Sequence, residues 1–87
     1  MIAQLMSGSD INAARNLIER SGLSFEEGFD AIYGIHENGE LIATGARAGN
    51  ILKMVAVDPA HQGGSILGEL VTALVSSGFD AGFESLF

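Results

Sequence analysis

Hydrophobic residues recur at helix spacing in two stretches of this sequence. The first is residues 11–20, which Ser9 or Asp10 can cap and which Ser21-Gly22 ends. The second is residues 65–77, whose first residue, Ser65, is also a capping residue. Its apolar positions are Ile66, Leu67, Leu70, Val71, Leu74 and Val75. This pattern predicts two helices, each with one apolar face.

Between the two helices, short apolar runs bounded by turn residues predict three β-strands. The runs are residues 30–36, 41–47 and 51–57. Asn38-Gly39 and Gly49-Asn50 join them through tight turns, because these residues tolerate the positive φ that such turns require. Pro59 fixes φ and lacks an N–H donor, so the third strand stops near Asp58. The three strands are therefore predicted to form an antiparallel meander.

Two further elements complete the predicted order. Residues 24–27 have capping-box spacing, which predicts one additional helical turn before Gly28. Residues 82–87 predict a last strand, which a right-handed crossover places parallel to the third strand. The predicted fold class is therefore α+β, with a helix, a three-stranded antiparallel meander, a helix and a final strand.

The end of the chain shapes our expectation for its domain organisation. Residues 84–87 stop inside an apolar run, and the helix over 65–77 carries one charge, Glu69. We therefore expect residues 1–87 to form a truncated domain, the first half of a larger unit. A half-domain leaves a sheet edge and a helix face uncovered, and a homodimer is the simplest way to cover them.

Composition narrows the function classes. The chain has 87 residues, 47% of them hydrophobic, with eleven acidic and four basic residues and a net charge of −7. This balance argues against nucleic acid and anionic membranes as partners. Cysteine is absent, which excludes disulfides and thiolate chemistry. The sequence has neither a membrane-length apolar run nor a signal-peptide pattern, and we expect a cytoplasmic location.

The stretch from Met54 to Leu70 is the main candidate for a binding site. A strand that leads through a glycine-containing turn into a helix leaves backbone N–H groups available to an anion. The alternative interpretation is a turn whose glycines serve geometry only. Residues 54–87 contain no Lys or Arg, so such a site relies on the helix dipole.

Several polar side chains have both a chemical and a structural interpretation. His61 can donate to a phosphate or transfer a proton, or it is a turn histidine on the surface. Glu26 and Glu27 can act as general bases, or they are solvated residues at a helix start. Asp58 is interpreted as a turn residue and Tyr33 as a sheet residue, and His36 has no assigned role.

The run Gln62-Gly63-Gly64-Ser65-Ile66-Leu67 resembles the acyl-CoA-binding loop of the GNAT N-acetyltransferase superfamily. Gln62 fits that motif, whereas Ser65 and Leu67 stand where small residues are usual. Within the superfamily, the chain is similar to the N-terminal domain of the citrate lyase ligase (citrate lyase synthetase) family. That resemblance covers roughly residues 30–87, most closely in the runs 39–45, 49–53 and 55–63.

The resemblance implies a partial GNAT fold and a site for CoA, acetyl-CoA or a phosphopantetheine-type group. In such a site the third strand pairs with the pantetheine arm, and the loop N–H groups hold the pyrophosphate. The implied cofactor-binding residues are Val55, Ala56, Val57, Gln62, Gly63, Gly64, Ser65 and Ile66. The catalytic residues stay unassigned, because the resemblance implies that the usual general-acid tyrosine of the superfamily lies beyond the last helix, outside this sequence.

The resemblance also implies the chemistry of a full-length enzyme. Such a ligase uses ATP and acetate to acetylate the prosthetic group on the citrate lyase acyl carrier subunit, which is the implied partner. The ATP-dependent step belongs to a C-terminal nucleotidyltransferase domain that this sequence lacks. We expect this chain alone to lack ligase activity and to bind CoA weakly, because the groove beside the third strand needs a fixed last strand. The alternatives are a fragment of an acetyl-CoA-dependent N-acetyltransferase and a non-catalytic assembly domain.

Overall fold

The first helix, α1, spans Gly8–Arg20 in the computed structural model, which describes residues 2–61 and 65–82. It begins earlier than its apolar spacing indicates, because the Ser7 hydroxyl accepts a hydrogen bond from the Asp10 N–H at 3.1 Å. The prediction of Ser9 or Asp10 as the cap is therefore wrong. The helix ends at Ser21 as predicted, and Gly22 follows with φ +83°.

Four strands form one antiparallel sheet, in the same order across the sheet as along the chain. They are β1 (Ile2–Gln4), β2 (Ala31–Glu37), β3 (Glu40–Ala48) and β4 (Ile51–Val57). The predicted meander over β2, β3 and β4 is confirmed. Asn38 and Gly39 both have positive φ, +54° and +79°, as a type I′ hairpin turn requires.

The strand β1 is a correction, because the sequence pattern predicts no strand before the first helix. It pairs with β2 through three residues, from Ile2 opposite Ile35 to Gln4 opposite Tyr33. The Leu5 N–H extends the pairing by donating to the Ile32 carbonyl at 2.9 Å. A strand this short shows no readable alternation, so tertiary pairing rather than local pattern determines it.

The second helix, α2, spans Ile66–Asp80 and lies on the opposite face of the sheet from α1. Consecutive residues of β3 separate the two faces: Leu41 packs with α1, and Ile42 packs with α2. The α1 face buries Ala14, Leu17 and Ile18. The α2 face buries Leu70 and Leu74. The sheet is therefore the middle layer between two helices.

The predicted helical turn at residues 24–27 and the predicted end of α2 are wrong. Part of the predicted last strand lies outside the described residues. Residues 24–27 form no helical turn; Phe25 instead packs against the α1-side core and meets Phe29 edge-to-face at 6.1 Å. The helix α2 continues past Ser77 to Asp80, and Gly78 is buried within it. Gly82 lies in a turn with φ +96°, so it does not begin a strand, and residues 83–87 lie outside the described part of the chain.

Arg47 is buried where the end of α2 meets the β3–β4 turn. Its guanidinium donates to the Gly49 carbonyl at 2.8 Å and to the Ser77 hydroxyl at 3.2 Å. It also lies 3.8 Å from the Asp30 carboxylate, which accepts a hydrogen bond from the Gly49 N–H. A buried charge requires such partners, so this cluster is structural.

Among the described residues, no helix is long and apolar enough to cross a membrane.

Candidate functional site

The candidate site begins at β4, which lies at one edge of the sheet and contains a β-bulge at Met54. Its pairing with β3 shifts register between Thr44 and Ala46, so that two residues of β4 oppose Gly45. Met54 has φ +54°, which non-glycine residues other than Asn and Asp rarely adopt. Bulges bend a strand and change the direction of its side chains and backbone groups, often beside functional sites. The bulge therefore distinguishes β4 from the regular strands of the sheet.

The bulge is followed by the three strand residues that the resemblance to the GNAT superfamily implies as cofactor-binding residues. Val55 and Val57 pack against the α2-side core, whereas Ala56 is 4% exposed and lies in the α1-side core. The strand β3 pairs with one side of β4, and no strand within residues 2–61 and 65–82 pairs with the other side. An extended ligand can therefore approach the outer edge of β4 as an added strand.

The turn after β4 is held by Asp58. Its carboxylate accepts a hydrogen bond from the Ala60 N–H at 2.9 Å, and its own N–H donates to the Ile42 carbonyl at 2.7 Å. This is an Asx-type turn, which confirms the interpretation of Asp58 as a turn residue. A short 3-10 helix, Pro59–His61, follows. Gln62, Gly63 and Gly64 lie outside the described residues.

The helix α2 begins without a side-chain cap. Ser65 occupies the N-cap position, but its hydroxyl makes no capping hydrogen bond, so the predicted capping role is wrong. The first intrahelical bond runs from the Glu69 N–H to the Ser65 carbonyl at 2.9 Å. The N–H groups of Ile66, Leu67 and Gly68 precede that bond and point toward the start of the helix. This arrangement suits an anion.

Acidic and basic side chains lie close together beside the turn. The His61 Nε2 lies 4.0 Å from the Glu37 carboxylate, and its Nδ1 lies 3.9 Å from that of Asp58. Arg20, at the end of α1, lies 3.8 Å from the other oxygen of Asp58. No described group of three or more His, Asp or Glu side chains is placed to hold a metal ion. An anionic ligand at this turn therefore meets two carboxylates, one arginine and one histidine.

The α1–β2 connection brings Glu26 to the bulge. The Glu26 N–H donates to the Met54 sulfur at 3.0 Å, and its carboxylate lies 3.4 Å from the Lys53 ammonium. Glu27 instead pairs with Arg15 at 4.0 Å, across an exposed surface. Of the two glutamates considered as general bases, the fold therefore places Glu26 at β4.

A cavity of about 360 Å³ opens beside β4 on the α1 side. Val55, Ala56 and Val57 line it together with Arg20, Ser21, Leu23 and Pro59. The cavity is thus lined both by the strand residues of the candidate site and by one cation, Arg20. Space for a small group is therefore present next to the bulged strand.

Solved structures identify the fold. A GNAT-family acetyltransferase from Novosphingobium aromaticivorans superposes with TM-score 0.78 at 20% identity, covering 93% of this chain and 40% of that one. A Mycobacterium tuberculosis protein in complex with CoA superposes with TM-score 0.75 at 21% identity, covering 92% and 58%. A GCN5-related N-acetyltransferase from Kribbella flavida gives 0.72 at 16% identity, covering 94% and 36%. The chain has a partial GNAT fold, as predicted.

Sequence comparison gives a more particular similarity. Over 47 residues the chain is 40% identical to [citrate [pro-3S]-lyase] ligase from Klebsiella pneumoniae. The match covers 54% of this chain and 14% of that protein, so the chain spans a small part of its curated relative. No family model matches the sequence. The chain thus has a partial GNAT fold and a partial sequence similarity to citrate lyase ligase.

Leu67 provides a test of the loop's departure from the GNAT motif. Its side chain is 51% exposed, in the first turn of α2. If its bulk obstructs a ligand, Leu67→Gly should tighten CoA binding, at a cost of about 1 kcal/mol in helix stability. Leu67→Ala, which keeps helix propensity, is the control. Equal CoA affinities in all three proteins, measured by NMR titration, would show that the bulk of Leu67 is not an obstacle.

Proposed function

We propose that this chain is the GNAT-like part of a citrate lyase ligase-type enzyme, and that β4 and the start of α2 hold CoA or a phosphopantetheine-type group. The observation that carries the binding proposal is the bulged edge strand leading into an uncapped helix. The 47-residue similarity to the Klebsiella pneumoniae ligase supports the choice of enzyme. In that enzyme type, ATP and acetate acetylate the prosthetic group of the citrate lyase acyl carrier subunit.

The pantetheine arm fits the outer edge of β4. Its two amides carry the donors and acceptors of a short peptide, so it can pair as an added strand with an edge to which no described strand is bonded. The bulge at Met54 redirects the backbone beside Val55, where the arm would lie. The strand residues Val55, Ala56 and Val57 would hold this arm.

The diphosphate of CoA fits the first turn of α2. The N–H groups of Ile66 and Leu67 supply donors, and the helix dipole favours a negative charge there. The predicted loop residues Gln62, Gly63 and Gly64 belong to this part of the proposal. The carboxylates of Glu37 and Asp58 oppose an anion, so we expect modest affinity at neutral pH.

The bound group would supply the thiol that carries an acyl group. The chain's own contribution would be to bind and orient that thiol beside β4. The acyl carrier subunit would then be the protein partner, since it bears a group with the same phosphopantetheine arm. This partner and the homodimer stay predictions.

An NMR titration of the chain with CoA tests the binding proposal. We expect a dissociation constant of about 1 mM, with signal changes at the N–H groups of Val55, Val57, Ile66 and Leu67. Pantetheine, which lacks the diphosphate, should affect the two valines and leave Ile66 and Leu67 unchanged. Binding at about 1 µM or tighter would contradict the expected weakness, and unchanged spectra at about 10 mM CoA would overturn the binding proposal.

An acetyl-CoA-dependent N-acetyltransferase is the second candidate. The observation that favours it is the position of Glu26 at the bulge, where a carboxylate can accept a proton from an attacking amine. Amine-dependent release of CoA from acetyl-CoA, lost in Glu26→Gln and retained in Glu27→Gln, would favour this candidate over the ligase type. A non-catalytic assembly domain would bind neither CoA nor pantetheine.

A further inference from the structure

Lys53 is the only lysine in the sequence, and it lies on the bulged edge strand β4. Its ammonium lies 3.4 Å from the Glu26 carboxylate, and its side chain is 33% exposed. An accessible amine beside a carboxylate is a nucleophile paired with a base. The one lysine of the chain therefore lies on the strand that we propose to hold an acyl-bearing thiol.

The bulge determines the face of the sheet on which Lys53 lies. Leu52 and Val55 pack against the α2-side core, whereas Met54 belongs to the α1-side core. Lys53 contacts Glu26, whose N–H donates to the Met54 sulfur, so Lys53 and Met54 share the α1 side. Regular alternation would place two consecutive residues on opposite faces. The bulge therefore brings the lysine to the side of β4 on which the cavity of about 360 Å³ opens.

The helix α2 runs in the opposite direction to β4. The end of α2 contacts Arg47, which is opposite Leu52 in the register of β3 with β4. The groove at the start of α2 includes Ile2, which lies in one row across the sheet with Val57. The helix therefore begins at the level of Val57, so an arm that starts from a diphosphate there runs back along β4.

The length of the pantetheine arm matches the distance along β4 to Lys53. From the phosphate oxygen to the sulfur the arm has about twelve bonds, as many as four residues of extended backbone, which span about 13 Å. Lys53 lies four residues before Val57 on the strand. An added strand lies about 5 Å from its neighbour, which the flexible four-carbon stem of a lysine can span. An acyl group on the thiol would therefore lie within reach of the Lys53 amine.

We propose that Lys53 is an acyl acceptor, to which the thiol of the arm transfers its acyl group with Glu26 as the base. The proposal rests on the proposed function, because it assumes a CoA-type arm along β4. The ammonium gives one proton to the Glu26 carboxylate, and the resulting amine attacks the carbonyl carbon of the thioester. As the C–N bond forms, the C–S bond breaks, and a second proton passes from the nitrogen to the leaving thiolate. The products are an acyl-lysine amide and a free thiol, and Glu26 releases its proton to water.

Incubation of the whole chain with acetyl-CoA tests the proposal. Trypsin cleaves after an unmodified lysine but not after an acetylated one, so acetylation of Lys53 leaves residues 48–87 as one peptide, which mass spectrometry detects. The rate should level off above about 1 mM acetyl-CoA, the dissociation constant expected for CoA. The thioester S-acetyl-N-acetylcysteamine has the same reactive group without the rest of the arm. At equal concentration it should acetylate Lys53 roughly tenfold or more slowly.

Variants supply matched controls. Glu26→Gln should slow acetylation by acetyl-CoA roughly tenfold or more, whereas Glu27→Gln should leave the rate unchanged. An unchanged rate in Glu26→Gln would contradict the role of Glu26 as the base. The double variant Lys53→Arg with Arg15→Lys moves the only lysine to α1, at a position that likewise pairs with a glutamate. The introduced lysine should react no faster with acetyl-CoA than with the short thioester.

The outcomes separate this inference from the proposed function. CoA-induced changes at the Val55 and Val57 N–H groups, with Lys53 unmodified or acetylated equally by both thioesters, would overturn the inference and leave the proposed function in place. Unchanged spectra at about 10 mM CoA would overturn both. If a variant fails to fold, the comparison of the two thioesters on the wild-type chain still decides between these outcomes.

Discussion

Replacing Leu74 by alanine should lower the free energy of unfolding by about 2–5 kcal/mol. Leu74 is fully buried in the α2-side core, and its Cδ1 lies 3.0 Å from the position that a Cβ on Gly45 would occupy. The absence of a side chain at Gly45 therefore makes room for Leu74 against β3. Alanine would leave a cavity at this contact, because the sheet cannot move to fill it. Chemical denaturation measures the loss.

Leu67→Ala is the matched control on the same helix. Leu67 is 51% exposed, so the same change there should alter stability by less than about 0.5 kcal/mol. Small domains are only marginally stable, so the Leu74 variant should unfold well below the denaturant midpoint of the Leu67 variant. Equal losses at the two positions would mean that α2 does not pack on the sheet as described.

Replacing Met54 by valine should cost about 2–3 kcal/mol of stability. Met54 holds φ +54° at the bulge, and a β-branched residue is strained there. The shorter side chain also gives up contacts in the α1-side core, where Met54 is 8% exposed. The strand can relieve the strain only by losing its bulge, which would straighten β4.

Met54→Leu separates the backbone effect from the packing effect. Leucine has nearly the same volume as methionine and no branch at Cβ, so it should cost less than about 1.5 kcal/mol. If the bulge places the pantetheine arm, CoA binding should weaken in Met54→Val and persist in Met54→Leu. Equal stability of the two variants would show that the backbone at residue 54 is unstrained.

The hairpins were predictable because their signals are local. Asn38-Gly39 and Gly49-Asn50 tolerate positive φ, and the apolar runs between them fix the strands. The apolar face of α1 was readable for the same reason, since Ala14, Leu17 and Ile18 recur at helix spacing. In these elements, the residues that determine the structure are close to one another in the sequence.

The elements that were missed depend on distant partners. β1 is a strand only because it pairs with the edge of β2. Its three residues are too few to show an alternation of apolar and polar positions. Residues 24–27 have capping-box spacing, but the contacts of Phe25 with the core and with Phe29 take precedence over a helical turn. Tertiary packing overrode the local signal in both places.

The candidate site was predictable in its chain order but not in its geometry. Glycines after an apolar strand indicate a strand–turn–helix unit, and residues 55–57 and 65–66 lie where this unit predicts. A methionine in a strand gives no sign of a left-handed backbone, so the bulge had no sequence signal. The arrival of Glu26 at the bulge and of Glu37 at His61 likewise depends on packing between elements distant in sequence.

The buried Arg47 cluster has a consequence for local unfolding. It joins Asp30 before β2, Gly49 in the β3–β4 turn, and Ser77 near the end of α2. Losing any one of these groups would leave the buried Arg47 guanidinium without one of its partners. The three segments should therefore open as one cooperative unit. Amide hydrogen exchange at this end of the sheet should therefore follow a single opening free energy, while α1 and β1 exchange independently of it.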